Sequence, residues 1–149
     1  MEIETIGKLS KLDLVAGIKD AHGDLTRAIK IRQVVPNDFS VMSGEDATTA
    51  AFLAHGGDGS ISVTSNIAPK LCSDLHKAWW EKDMETFGEL RDKLFNVHQA
   101  MFCDTNPCPV KYAAELLGKC ESSVRLPLWN ISDAAKAQVK GAMKDAGLI

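Results

Sequence analysis

Apolar residues along the chain change their period in a regular order. Ile3, Ile6 and Leu9 or Leu12 recur every three to four residues, which predicts a short helix over 2–11. A continuous apolar run over 14–18, Leu14-Val15-Ala16-Gly17-Ile18, suits a strand buried on both faces. Residues 20–24 contain a glycine and predict a loop. Residues 25–35 then predict a helix with Leu25, Ala28, Ile29 and 31–35 mostly inward, ended by Pro36-Asn37-Asp38. A second short strand is expected over 39–42, closed by Ser43-Gly44. Asp46 is placed to cap a helix over 47–55, which Gly56-Gly57 would end. Ile61 and Val63 alternate in a third strand, expected over 60–63. Helix and strand therefore alternate, the order expected of βαβ units on a parallel sheet.

Beyond that point the period is helical throughout. Residues 69–80 carry Leu71, Cys72, Leu75, Ala78 and Trp79 on one face. Residues 84–102 carry Phe87, Leu90, Leu94, Val97 and Met101 in a three–four stripe. Pro109 opens a helix running to Leu117, with Gly118 as its stop. Ser132 is expected to cap a last helix with Ala135, Val139, Ala142, Met143 and Ala146 inward and Gly147 at its end. A boundary near Asp83 is thus expected, with α/β structure over 1–82 and a helical domain over 83–149. Three parallel strands alone would leave two edges with unpaired N–H and C=O groups, and parallel sheets are as a rule wide or closed and covered on both faces. The pattern reads as a piece of a larger sheet.

Composition narrows the classes. The 149 residues are 45% hydrophobic and 25% charged with a net charge of −3, ordinary values for a globular domain. That charge gives no reason to expect a polyanion partner or membrane surface, and there is no dense Lys/Arg stripe for nucleic acid. No apolar run nears the roughly 20 residues that span a bilayer, and 1–11 has no apolar signal core. Cys72, Cys103, Cys108 and Cys120 form no CxxC pair, so free thiols in a reducing cytoplasm are expected. His22, His55, His76 and His98 match no zinc spacing, and no metal is expected.

Lys19 is the strongest chemical candidate. It follows the apolar run 15–18, at the carboxyl end of the first predicted strand, where ligands bind in barrels and open α/β sheets. Most lysines are solvated surface groups. A lysine leaving a buried strand is expected to be partly desolvated, which disfavours the ammonium and favours a nucleophilic amine. Gly44 and the glycines at 56, 57 and 59 serve either as turn chemistry or as points of close backbone approach to a small ligand, and they match no phosphate-binding fingerprint. Ser62, Thr64 and Asn66 would share one side of the third strand and either line a polar mouth or pack as hydroxyls against backbone. Asn106-Pro107-Cys108-Pro109-Val110-Lys111 reads as punctuation before a helix. Trp79, Trp80 and the Phe stripe read as core or subunit interface.

Five of these segments together resemble one family. Val15-Ala16-Gly17-Ile18-Lys19-Asp20-Ala21-His22-Gly23-Asp24-Leu25 resembles the GIK-[DE]-A-x-G-[DN]-L segment around the Schiff-base lysine of the dihydrodipicolinate synthase family. Ser43-Gly44-Glu45-Asp46 resembles its SG-[DE]-D turn, and Gly59-Ser60-Ile61-Ser62-Val63-Thr64-Ser65-Asn66 its G-x-ISVTAN segment. Residues 106–111 resemble NPxPVK, and Arg125-Leu126-Pro127 its RLP segment. Order and spacing agree over essentially the whole chain.

The resemblance implies a TIM (β/α)₈ barrel represented by strands six to eight over 1–82, followed by the C-terminal helical domain over 83–149. It implies a lyase that condenses pyruvate with aspartate semialdehyde to 4-hydroxy-tetrahydrodipicolinate, in lysine and diaminopimelate biosynthesis. Lys19 would be the catalytic, covalent residue, and the backbone of Gly44 and Ile61 would border the pyruvate site. No metal or organic cofactor is implied. A cytoplasmic homotetramer, or pairing with a complementary N-terminal half-barrel, is expected, with no nucleic acid or membrane partner. The family's Thr-Thr turn, its proton-relay tyrosines, its carboxylate-gripping arginine and its lysine-feedback residues belong to the first half of the barrel and have no match here. The only tyrosine, Tyr112, lies in the helical part, and His22 and Cys108 stand where the family varies. Met1 falls within the expected fifth barrel helix, so the chain is expected to begin mid-barrel, as a shortened gene product or a fragment, with weak or no activity alone. Two alternatives differ in class or substrate: another pyruvate aldolase, such as an N-acetylneuraminate lyase-like enzyme, and a non-catalytic chain acting only in assembly.

Overall fold

The computed structural model describes residues 1–149, which form two compact units, Met1–Ser62 and Val63–Ile149. No helix is long and apolar enough to cross a membrane.

The first unit alternates helix and strand: α1 (Ile3–Leu9), β1 (Gly17–Asp20), α2 (Thr26–Arg32), β2 (Ser40–Ser43), a 3₁₀ turn (Asp46–Thr48) running into α3 (Thr49–Ala54), and β3 (Gly59–Ser60). The strands are parallel in the order β1-β2-β3, with Lys19 opposite Met42 and Met42 opposite Gly59. One face of the sheet is covered. Ile6, Ala28, Ile31, Phe39, Val41 and Phe52 form a buried cluster, with Ile18, Leu25 and Val35 packed against it. Removing a side chain such as Ile31 from water contributes roughly 1.5–3 kcal/mol. The Arg32 guanidinium fastens the opposite end of the sheet. It donates to the carbonyls of Gly56 at 2.7 Å and Phe39 at 2.8 Å and pairs with Asp58, whose carboxylate accepts the Val41 amide at 2.7 Å.

The strands depart from expectation in two places. The first begins at Gly17, and Lys19 lies within it instead of beyond it. Its residues alternate exposed and half-buried, so it is not buried on both faces. The upstream run turns at Leu12, where the Val15 amide bonds to the Leu12 carbonyl at 3.0 Å, and Leu14 stands almost wholly in solvent at 98% exposure. The third strand is two residues long and does not continue through Val63. Val63 has helical φ and ψ of −73° and −44°, and Thr64–Asn66 form a 3₁₀ turn. Ser62, Thr64 and Asn66 therefore do not share a strand face. Thr64 is fully buried, with its hydroxyl 2.7 Å from the His98 ring, while Asn66 is exposed. At the turn after β2, Glu45 caps in place of Asp46: its carboxylate accepts the Ala47 amide at 3.4 Å, and Asp46 is buried in the first turn.

The second unit is helical: α4 (Pro69–Glu81), α5 (Met84–Ala100), α6 (Cys108–Leu116) and α7 (Asp133–Asp145). The expected boundary at Asp83 falls inside it, between α4 and α5. The predicted stripes are the faces that pack. Phe87, Leu94, Val97 and Met101 are buried, as are Ala135, Val139, Ala142, Met143 and Ala146. The helix ends follow local chemistry. The Asp83 carboxylate accepts the Thr86 amide at 3.1 Å, and the Ser132 hydroxyl accepts the Ala135 amide at 3.2 Å. Gly118 follows α6 at φ +66° and Gly147 follows α7 at φ +68°, in the left-handed region where a Cβ is costly. Trp79 of α4 meets Phe87 of α5 with ring centroids 5.3 Å apart, whereas Trp80 is 53% exposed.

Candidate active site

Side chains on a strand alternate between faces, and β1 uses both. Ile18 and Asp20 turn toward α2. Gly17 and Lys19 turn to the other face, which they share with their partners Ser40 and Met42 on β2. No helix of this unit lies over that face: Gly17, Lys19 and Ser40 are exposed, and Ile61, just past β3, is 51% exposed. The sheet thus has one dry side and one open side, and Lys19 rises from the open one.

The expected desolvation of Lys19 is not provided by these residues. Val15 and Ile18 are half-buried, Ala16 and Gly17 are exposed, and so is Lys19 itself. The reason is geometric: the apolar residues before the lysine face α2 alternately, and the lysine's own face has no second layer. Its stem nevertheless runs along the turn that follows β2, beside Gly44. A Cβ added to Gly44 would come within 2.7 Å of Lys19 Cε, 3.0 Å of its Cγ and 2.8 Å of Ala21 Cβ. Gly44 is therefore the floor on which the lysine stem rests, and any side chain there would displace it.

The turn that carries Gly44 is held by hydroxyls. The Ser43 hydroxyl donates to the Glu45 carbonyl at 3.0 Å and accepts the Glu45 amide at 3.2 Å. Thr49 donates to the same carbonyl at 3.0 Å. The Gly44 amide itself donates to the Asp20 carbonyl at 2.9 Å, which continues the β1–β2 ladder to the lysine's end of the sheet. Ile61 is further away. It follows β3, two strands from β1, which at the usual strand spacing is about 10 Å. Its amide is committed to the Ser43 carbonyl at 2.8 Å, so it extends the ladder and does not offer that N–H to a ligand. Lys19 and Gly44 are brought together; Ile61 sits on the same open face across β2.

One ion pair beside the site was not anticipated. Arg27 of α2 donates from Nε to both Asp20 oxygens at 3.1 and 3.3 Å and from Nη2 to Oδ1 at 3.2 Å. The side chains retain only 11% and 9% of their exposure. The chain offers only an acid directly after the lysine and an arginine seven residues further on, two common charges that do not by themselves announce a pair. Asp24, in the loop between them, accepts the Thr26 hydroxyl at 2.7 Å and its amide at 2.9 Å, and these bonds hold its carboxyl below the usual carboxylate range.

Comparison with known proteins adds an independent line. A model of the dihydrodipicolinate synthetase family matches residues 1–146. The 4-hydroxy-tetrahydrodipicolinate synthase of Bradyrhizobium diazoefficiens is 44% identical over 149 residues, covering 100% of this chain and 50% of that protein. Among solved structures, the dihydrodipicolinate synthase of Thermotoga maritima superposes with a TM-score of 0.94 at 36% identity, over 99% of this chain and 51% of that one. The chloride-inhibited enzyme of Acinetobacter baumannii, solved with pyruvate, gives 0.92 at 36% identity, over 99% and 51%. The chain spans about half the length of the curated relatives it matches. Three parallel strands with their helices, then a helical part, correspond to half of their TIM barrel fold.

Proposed function

The chain belongs to the dihydrodipicolinate synthetase family, and from that premise we propose that it acts as the C-terminal half of a 4-hydroxy-tetrahydrodipicolinate synthase, with Lys19 as the covalent residue. The observation that carries this is the placement of Lys19 on the open face of β1, within the family-matched segment, its stem resting on Gly44 at the carboxyl ends of the strands. That end of a parallel barrel is where substrates are handled.

The chemistry follows from a primary amine at that position. The neutral amine attacks the keto carbon of pyruvate, and loss of water leaves an iminium. Its positive nitrogen draws electrons from the adjacent C–H bond. A proton leaves the methyl carbon, giving an enamine, and that carbon attacks the aldehyde of aspartate semialdehyde. Each proton transfer needs a positioned acid or base, and no tyrosine stands in the first unit to serve. The cover that would desolvate the amine, together with the relay groups, belongs to the other half of the barrel. An eight-stranded barrel needs five strands beyond these three; two copies of this chain would bring only six. The fitting partner is therefore a complementary N-terminal half, and the completed barrel would assemble further as the family's subunits do. The product serves lysine and diaminopimelate synthesis.

Trapping tests the reading. The chain, mixed with an N-terminal half from a family member, is incubated with pyruvate and reduced with borohydride, and the adduct is located by mass spectrometry. Modification of Lys19, absent from Lys19→Ala, is expected. An adduct on another residue, or none with both halves present, overturns it.

A further inference from the structure

We propose that the Asp20–Arg27 ion pair is the positioning device for Lys19, an inference that rests on the Schiff-base reading of that lysine. β1 pairs in parallel with β2 through Gly17–Asp20. Lys19 is the last residue but one of this strand; it is exposed, and the support its stem has on its own face is Gly44.

Asp20 holds this strand end from the opposite face. Its carboxylate takes three contacts of 3.1–3.3 Å from the Arg27 fork, nearly out of water, which ties the strand end to α2. A planar guanidinium engaging both oxygens fixes orientation as well as distance. The Asp20 carbonyl, in turn, receives the Gly44 amide at 2.9 Å, and Gly44 is the surface against which the Lys19 stem lies. One residue thus joins the helix, the strand end and the floor of the lysine. Arg27 also reaches the Met1 carbonyl at 3.1 Å, which brings the start of the chain into the same anchorage. The pair never touches a reacting atom. It acts through the backbone, by keeping Lys19 on the open face in register with β2.

Two readouts test this. The first uses the chain alone and involves no chemistry at Lys19. In Asp20→Asn, exchange of the Gly44 amide is expected to quicken about tenfold or more, while the Ile61 amide on the β2–β3 side stays within about twofold. Unchanged Gly44 exchange overturns the proposal. The second uses the completed barrel. Per folded molecule, Asp20→Asn is expected to slow borohydride trapping of pyruvate about tenfold at saturating pyruvate with its half-saturation unchanged, and Asp20→Glu, which keeps the carboxylate, to restore it. Equal trapping by the Asn and Glu variants means the pair is merely structural and overturns the proposal. Absence of trapping in the parent barrel instead removes the Schiff-base reading. If Asp20→Asn does not fold, Arg27→Lys, which keeps the charge and loses the fork, decides on the same two measurements.

Discussion

The two units of the chain solve burial differently. Val63–Ile149 packs helix on helix: Leu94, Val97, Met101, Val139 and Met143 are wholly out of water, although Trp80, Leu126 and Trp129 stay more than half exposed. Met1–Ser62 buries one side of its sheet just as thoroughly, around Ile6, Ile31 and Val41, yet leaves the other side open, with Ile61 half in solvent and Leu14 almost fully so. The proposed chemistry sits in the open unit. There Lys19 has its backbone register and, in Gly44, its floor, but no second layer over its face. On the proposed reading, the stem of the reacting lysine is set before the environment it needs is complete.

The largest effects of substitution are expected where closure is complete. Met143→Ala, at 0% exposure, should cost about 2–5 kcal/mol by urea unfolding of the second unit, since the contacts around it have no way to refill the space. If the loss is below about 1 kcal/mol, that core is looser than described. Gly17→Ala is the counterpart in the open unit. Its Cβ would fall 2.6 Å from the Ser40 carbonyl oxygen, a rigid backbone atom, so β1 must shift and about 1–3 kcal/mol should be lost. Gly44→Ala sharpens the contrast. Here the Cβ would meet the Lys19 stem at 2.7 Å and also the Ala21 Cβ, fixed to the backbone, at 2.8 Å, so about 1–3 kcal/mol should be lost, and in the completed barrel pyruvate trapping per folded molecule should fall about tenfold. Unchanged trapping per folded molecule would mean that Gly44 supports the fold and not the lysine.

Smaller effects come from caps and from the open face. Ser132→Ala should lower stability by about 1 kcal/mol through loss of the bond to the Ala135 amide. Glu115 lies below the usual carboxylate range because the Ser122 amide at 3.1 Å and hydroxyl at 2.9 Å both donate to it. A depressed folded value means that this contribution is complete above the ordinary carboxylate pKa and is lost as pH falls through the folded one. Glu115→Gln should therefore lower the stability of the second unit at neutral pH, leave it nearly unchanged at pH below the folded value, and so flatten the acid limb of the stability–pH curve. Ile61→Ala should be the mildest, within about 0.5 kcal/mol in the chain alone, because the side chain is already half in water. Its effect should appear on association with the N-terminal half, measured by titration calorimetry.

Sequence patterning reached the two units unequally. The stripe Phe87, Leu94, Val97 and Met101 and the stop at Gly118 were legible because a helix in a closed bundle declares its inward face through its own period. The strands were legible only as alternation. Leu14 belongs to an apolar run that reads as buried strand, but nothing in this chain covers it, so the ladder starts three residues later at Gly17. Thr64 looked like a strand hydroxyl until the His98 ring, far along the chain, gave it a partner in a buried turn. Lys19 and Gly44 were singled out by local motifs, and their proximity is what the structure adds. The Asp20–Arg27 pair was not, because two common charged residues signal nothing until a strand and a helix bring them together.

The most direct test of the division between a placed amine and its missing environment is steady-state turnover of pyruvate and aspartate semialdehyde by the chain alone and after addition of an N-terminal half. Little or no turnover alone, appearance of turnover on mixing, and its loss with Lys19→Ala are predicted. Turnover by the isolated chain at the rate of a whole family enzyme would contradict the claim that this half lacks what the lysine needs.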